Sequence, residues 1–295
     1  MPHPVFAANN TALITGGASG IGLAVAQLCL KHGMRVAIAD RNPDNLARAS
    51  SLLAAGDRVA TYETDVSQPS AWDTLKAGVL ERFQRVDFLM LNAGIGLKGT
   101  WGDREYFEKS SAKPIIADAH YRLQTLSTNL FGVIHGLNAF VPHIQPSPTP
   151  SAIVITGSKQ GITNPPGNAA YNASKSAVNT LAEHLSYDLR ATPQHSVHLL
   201  VPGWTFTGMT GGGTVKEKPA GAWAPEQVAA YLEEKMGEGK FYVICPDNDV
   251  SEEMDRKRVL WAAGDLAEGR PPLSRWREEW KGEVEKFMSG DAGPK

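Results

Sequence analysis

From Thr11 to Cys245 the chain alternates between two hydrophobic patterns. Short, nearly continuous apolar runs predict strands at Ala12–Thr15, Arg35–Asp40, Val59–Thr64, Asp87–Asn92, Ala152–Thr156, Ser196–Val201 and Phe241–Cys245. Runs of this kind suit strands covered on both faces of a parallel sheet. Between them, apolar positions recur at helical spacing over Ile21–Lys31, Asp44–Ala55, Ala71–Phe83, Ala119–Phe140, Ala170–Arg190 and Pro225–Met236. Asn42-Pro43 and Ser70 read as helix starts, and Gly33 and Gly56 as stops. Strand–helix alternation over this length predicts an α/β fold: a doubly wound parallel sheet of about seven strands, helices on both faces, joined by right-handed crossovers.

Three stretches break the rhythm. Ile95–Asp118 is a long connection after the fourth strand, and its Trp101, Tyr106 and Phe107 suit either a pocket roof or a surface excursion. Gln145–Ser151 is proline-rich and reads as a surface loop; Thr210–Lys218 holds three consecutive glycines. Residues 246–295 form a polar tail with helices expected near Glu252–Ala263 and Leu273–Met288. Its Trp261, Trp276 and Trp280 call for burial. No composition shift marks a second domain, so residues 1–295 are read as one domain with 246–295 as its helical extension.

Composition narrows the classes. The 295 residues are 42% hydrophobic and 20% charged, which supports a sizeable core. A net charge of −2 gives no footprint for nucleic acid or an anionic membrane. Two cysteines, Cys29 and Cys245, in apolar surroundings point to a reducing compartment without disulfides. The first ten residues lack the pattern of a signal peptide, and no apolar run has the length of a membrane span. A cytoplasmic location is the expectation, and the sequons at Asn9 and Asn172 read as chance matches. The eight histidines show no metal-ligand spacing; His195 and His198 read as packing or surface residues.

The chemistry starts at the first strand–helix junction. Thr15-Gly-Gly-Ala-Ser-Gly-Ile-Gly22 places Gly16, Gly20 and Gly22 where a pyrophosphate can approach the backbone at a helix N-terminus. Asp40 ends the second strand 18 residues after Gly22, at the place of a ribose-binding carboxylate. A carboxylate there repels a 2′-phosphate and argues for NAD; the neighbouring Arg41 can pair with that phosphate and keeps NADP open. Tyr171 and Lys175 are i and i+4 on one helix, where an ammonium would lower the phenol pKa. Ser158 ends the fifth strand, 13 residues earlier, facing the ligand crevice. It lacks the flanking pattern of a nucleophile elbow, so a positioning hydroxyl fits better.

Together with Asn92-Ala-Gly94, Asn129 and Pro202-Gly203, these motifs resemble the short-chain dehydrogenase/reductase family over about Thr11 to Cys245. The resemblance implies a Rossmann-like sheet and hydride transfer with a nicotinamide cofactor, NAD or NADP. It implies that Tyr171 moves the proton at the substrate oxygen and Ser158 hydrogen-bonds that oxygen. Lys175 would hold the nicotinamide ribose and lower the Tyr171 pKa, and Asn129 a relay water. The cofactor would meet Gly16, Ser19, Gly20, Ile21, Gly22, Asp40, Arg41, Asp65, Val66, Asn92, Ala93, Gly94, Pro202, Gly203 and Thr207. Leu91, where the family often carries Asn, reads as a packing change. Trp204, Phe206 and Met209 follow on the loop that covers the substrate in relatives, and suit a hydrophobic, cyclic or aromatic alcohol or ketone. The helices carrying Asn129 and Tyr171 commonly pair subunits in the family, so a homodimer or homotetramer is implied. The rival reading is a catalytically silent dinucleotide-binding redox sensor; an epimerase or dehydratase ranks lower, because such relatives carry a different glycine spacing.

Overall fold

The structure is a computed structural model that describes residues 2–96, 124–211 and 217–290. Most of Ile95–Asp118, with Trp101, Tyr106 and Phe107, lies outside the described residues, as do residues 212–216 of Thr210–Lys218. Seven strands form one sheet: β1 (Thr11–Thr15), β2 (Arg35–Asp40), β3 (Val59–Glu63), β4 (Phe88–Leu91), β5 (Ser151–Thr156), β6 (His195–Val201) and β7 (Tyr242–Ile244). Their order is β3-β2-β1-β4-β5-β6-β7, with every pairing parallel. The fold is therefore the doubly wound α/β sheet expected from the alternation. The chain winds outward from β1 to β3, then restarts at β4 on the other side of β1. That reversal opens a crevice beyond the carboxyl ends of β1 and β4, where ligands bind in such sheets.

Side chains alternate between the two faces along each strand, as the pleat requires. Ala12 and Ile14 of β1 pack with Val36 and Ile38 of β2 on one face, and Leu13 with Ala37 on the other. The first face is covered by α1 (Gly20–Lys31), α2 (Pro43–Leu53) and, later in the chain, Pro225–Gly237, through Val25, Leu46, Val228 and Leu232. The second is covered by α3 (Pro69–Phe83), α4 (Gly132–Ile144) and Ala169–Asp188, through Trp72, Phe140 and Val178. Both cysteines are buried free thiols, which burial pushes well above their ordinary pKa.

Several expectations change. β3 is an edge strand and half-exposed, so Val59–Thr64 is not covered on both faces. α3 starts at Pro69 with Gln68 as its cap, not at Ser70: proline's fixed φ suits the first helical position. Asn42 does cap α2, its side chain accepting from the Asn45 amide. After β7, the tail forms Glu252–Ala267, two short 3-10 turns and Lys281–Ser289. Of its three tryptophans only Trp261 is fully buried, against Phe287 and the Arg270 guanidinium, with its indole N–H on Ser274. Trp276 remains exposed beneath Arg275, because stacking on a guanidinium serves a partly wet indole. Asn172 is buried and donates to Asn164 and Pro165, which leaves it no room for a glycan.

Candidate active site

The carboxyl end of β1 carries the glycine loop. Gly16 and Gly20 have φ of +62° and +52°, left-handed values that suit glycine. A Cβ on Gly16 would stand 2.9 Å from the Ala93 Cα, so the loop lies directly against the end of β4. Thr15 joins the two: its Oγ1 accepts from the amides of Asn92 (2.9 Å) and Ala93 (3.1 Å). The Asn92 amide group donates back to the Thr15 carbonyl and its oxygen accepts from Thr156 on β5. Asn92 thus ties three strand ends together. Ser19, in front of α1, makes no side-chain cap hydrogen bond. The first-turn amides are left for another acceptor.

These groups border a cavity of about 690 Å³, the size of a ligand pocket. One part of its wall is Gly16, Ser19, Gly20, Ile21, Asp40, Arg41, Asp65 and Val66. Asp40 accepts from the Ala18 and Asn42 amides, and Arg41 is exposed beside it. Another part is Asn92, Ala93, Gly94, Ser158, Tyr171, Lys175, Pro202, Gly203, Trp204, Thr207 and Met209. Three expected residues are not in the wall: Gly22, Phe206 and Asn129, the last fully buried and held on Ile95 and Ser174. Gly22 sits behind it, its Cα packed against the Gly16 carbonyl, where a side chain would collide. Phe206 is set aside because its amide is drawn to the Trp223 carbonyl, alongside the Thr205–Trp223 bridge. The pattern also missed Lys159, Gln160 and Asn168, which line the cavity. Only the position of Lys159 next to Ser158 could have signalled it.

Ser158 follows β5, on the turn into the short helix α5 (Gln160–Thr163), and its Oγ accepts from the Gln160 amide at 3.2 Å. Tyr171 and Lys175 stand one turn apart on α6 (Ala169–Asp188). Tyr171 is hydrogen-bonded to Ser158. Burial pushes its phenol above 10, and the Ser158 bond only partly offsets this. The expected lowering by the ammonium is therefore corrected. Lys175 Nζ is 5.8 Å from the Tyr171 ring centroid and donates to the Thr156 carbonyl at 2.8 Å. Burial takes Lys175 itself down to about 8.

Asn129 is fully buried in a π-helical turn, Ser127–Phe131, that leads into α4. Its Oδ1 accepts from the Ile95 amide at 2.8 Å, and its Nδ2 donates to the Ile95 carbonyl (3.0 Å) and to Ser174 Oγ (3.2 Å). The side chain thus braces the Gly94–Gly96 segment against α6. Only the second lone pair of Oδ1 remains for a water. Leu91 is buried and faces Gly136 of α4, a packing role.

The residues fit a nicotinamide dinucleotide. Gly16 and Gly20 leave a cradle in the cavity wall, with Gly22 packed behind it, beside an uncapped helix N-terminus and a strand-end carboxylate. Among the described residues no group of three or more His, Cys, Asp or Glu is placed to hold a metal ion, and no helix is long and apolar enough to cross a membrane.

Comparison with known proteins agrees with this geometry. Residues 10–218 match the family described as short chain dehydrogenase. A 1-deoxy-11-beta-hydroxypentalenate dehydrogenase of Streptomyces avermitilis is 31% identical over 255 residues, 85% of this chain and 90% of the relative. An NADP-dependent (R)-specific alcohol dehydrogenase of Lentilactobacillus kefiri is 27% identical over 198 residues, 65% of this chain and 73% of the relative. A solved short-chain dehydrogenase/reductase of Burkholderia phymatum, in complex with NAD, superposes with a TM-score of 0.77 at 29% identity, covering 91% of this chain and 97% of that one. With the sheet order, the glycine loop and the matched span in agreement, the chain belongs to the short-chain dehydrogenase/reductase family of oxidoreductases.

Proposed function

We propose that the chain interconverts a secondary alcohol and a ketone, with an apolar substrate and NAD(H) preferred over NADP(H). The carrying observation is Tyr171 in the cavity wall, hydrogen-bonded to Ser158 with Lys175 one turn on. The nicotinamide, when bound, gives or takes the hydride at the carbinol carbon. Glycine-loop amides and the α1 N-terminus hold the pyrophosphate, Asp40 the adenosine ribose, and Asp65 and Val66 the adenine. Lys175 holds the nicotinamide ribose, and Pro202, Gly203 and Thr207 border the carboxamide. Asn129 keeps Ile95 in place and offers its remaining lone pair to a relay water.

In reduction, Tyr171 donates its proton to the ketone oxygen while Ser158 donates a hydrogen bond to the same atom. In oxidation, the Tyr171 phenolate takes the hydroxyl proton. Because burial holds the phenol above 10, the acid form prevails at neutral pH and suits ketone reduction; oxidation should quicken as the pH rises. Trp204 and Met209, exposed at the cavity wall, give it the apolar surface that favours a hydrophobic, cyclic or aromatic substrate. We further infer a cytoplasmic homo-oligomer, supported by exposed Phe131 on the turn before α4 and exposed Tyr187 in the last turn of α6, and we take residues 246–295 as part of the same domain.

Titration of purified protein with NADH and NADPH, read by nicotinamide fluorescence, tests the cofactor reading. Tighter NADH binding is expected, and tighter NADPH binding would assign the adjacent Arg41 the dominant role. Turnover is then assayed on a panel of cyclic and aryl secondary alcohols and their ketones. Tyr171→Phe should bind NADH within twofold of wild type and lose at least about 10³-fold in kcat; retained turnover would refute the assignment.

A further inference from the structure

Lys159 follows Ser158 directly and lines the cavity, yet its charge is committed elsewhere. Its ammonium lies 2.6 Å from Asp255 Oδ2 and 3.4 Å from Asp247 Oδ2. Both carboxylates are buried, with side chains only 5% exposed. Asp247 lies on the loop after β7, and Asp255 on the tail helix Glu252–Ala267, which packs against α5. The same Asp247 Oδ2 accepts from the Trp204 amide at 3.0 Å, while Oδ1 accepts from the Asp249 amide at 3.1 Å. At Gly203 the space is closed: a Cβ would stand 2.7 Å from Asp247 Oδ2 and 2.9 Å from Lys159 Nζ. Arg258, one turn beyond Asp255, adds attraction for its carboxylate.

Two active-site segments therefore meet on one ion cluster. The Ser158 turn is held through Lys159, and the Pro202–Thr205 segment through Asp247. The tail closes the cluster with Asp255. A buried pair broken on one side leaves an uncompensated charge, which makes such a contact sharply geometric. We propose that Lys159, Asp247 and Asp255 are positioning residues: a buried ionic latch through which the C-terminal segment fixes the substrate-side walls of the active site. They touch neither reacting atom and act through Ser158 and Trp204. The inference rests on the oxidoreductase reading of Ser158 and Tyr171 for its catalytic consequence, but not for its structural one.

The test is Asp255→Asn in the full chain, with Lys159→Arg as the conservative control. Amide hydrogen exchange by mass spectrometry should accelerate at least fivefold in peptides covering 158–160 and 203–205, with the glycine loop 16–22 unchanged. Kd for NADH should stay within twofold, while KM for the best panel alcohol rises about tenfold. Lys159→Arg, which keeps a cation between the two carboxylates, should restore near-wild-type exchange and KM. Unchanged exchange and KM in a folded Asp255→Asn protein would overturn the latch, and so would acceleration spread evenly over the chain. Should Asp255→Asn fail to fold, Asp247→Asn keeps an acceptor for the Trp204 amide, removes the charge and gives the same readout. If wild type turns over none of the panel, the oxidoreductase reading fails, and the exchange data still decide the latch.

Discussion

Gly161 sits where α5 crosses α6, and its substitution reaches the site without touching it. A Cβ there would stand 2.6 Å from the Lys175 carbonyl carbon and 2.8 Å from Lys175 Cβ and O. Carbon atoms settle near 3.5 Å, so Gly161→Ala must push the two segments apart by roughly 0.7–0.9 Å. The obstacle is backbone on both sides and cannot swing away. The Gly161 carbonyl also accepts from Ser176 Oγ (2.7 Å) and Asn179 Nδ2 (3.3 Å), so the displacement strains two further bonds. Overpacking of this kind costs about 1–3 kcal/mol. The helix propensity gained by alanine, about 1 kcal/mol, offsets part of it. The net expectation is a loss of up to about 2 kcal/mol and a Tm lowered by up to roughly 8 °C. Lys175 moves with the backbone, and a misplacement near 1 Å costs about 10²-fold in turnover. Differential scanning fluorimetry and steady-state kinetics on one preparation measure both. Wild-type kcat together with an unchanged Tm would refute the argument, since it would mean that the α5–α6 contact yields freely.

Two further outcomes follow from contacts at opposite ends of the sheet. Thr15→Val keeps the shape but strands the Asn92 and Ala93 amides, at about 1–3 kcal/mol each, so urea melts should show a loss of about 2–6 kcal/mol and NADH binding should weaken. At the other end, His3 Nε2 meets Ser196 Oγ, which also meets His198 Nε2, while His3 Nδ1 accepts from the Val5 amide. Burial, reinforced by His198, takes His3 down to about 4. The unfolded chain then binds more protons between pH 6.5 and 4, so stability falls as the pH drops through that window. Discounted for the partial exposure of His3, the loss attributable to it is about 1–2 kcal/mol. His3→Asn should flatten the acid limb of a Tm-against-pH curve, and an unaltered slope would count against the assignment.

What the sequence reveals is what local pattern controls. Strands such as Arg35–Asp40 match residue for residue, because a run of Val, Ala and Ile has few other uses. The glycine loop, Ser158, Tyr171 and Lys175 are legible because the turn and the i, i+4 spacing are themselves local. The rest depends on contacts far apart in the chain. The direction of the Tyr171 shift follows from the groups that bury it, and pair spacing carries no information about those. Phe206 looks like its neighbours Trp204 and Met209 until Trp223, 17 positions on, draws its backbone aside. Lys159 reads as an ordinary surface lysine until Asp247 and Asp255, some 90 residues later, are seen to enclose it. Trp276 shows the opposite error: a large aromatic invites a burial that a stacked guanidinium makes unnecessary.

The π turn at Ser127–Phe131 makes chain length itself a constrained quantity. Such a turn holds one residue more than an α-helical path between the same ends. Downstream, α4 is pinned by Gly132, Val133, Gly136 and Phe140 in the core; upstream, Asn129 is pinned to Ile95. Removing one residue would let the stretch close as a plain α-helical path between the same anchors, whereas inserting one would rotate one anchor against the other by about 100° and shift it by about 1.5 Å. Many side chains in this stretch could be exchanged by evolution while no residue could be added. An insertion, elsewhere on the surface the mildest of changes, would here undo the alignment of an entire helix.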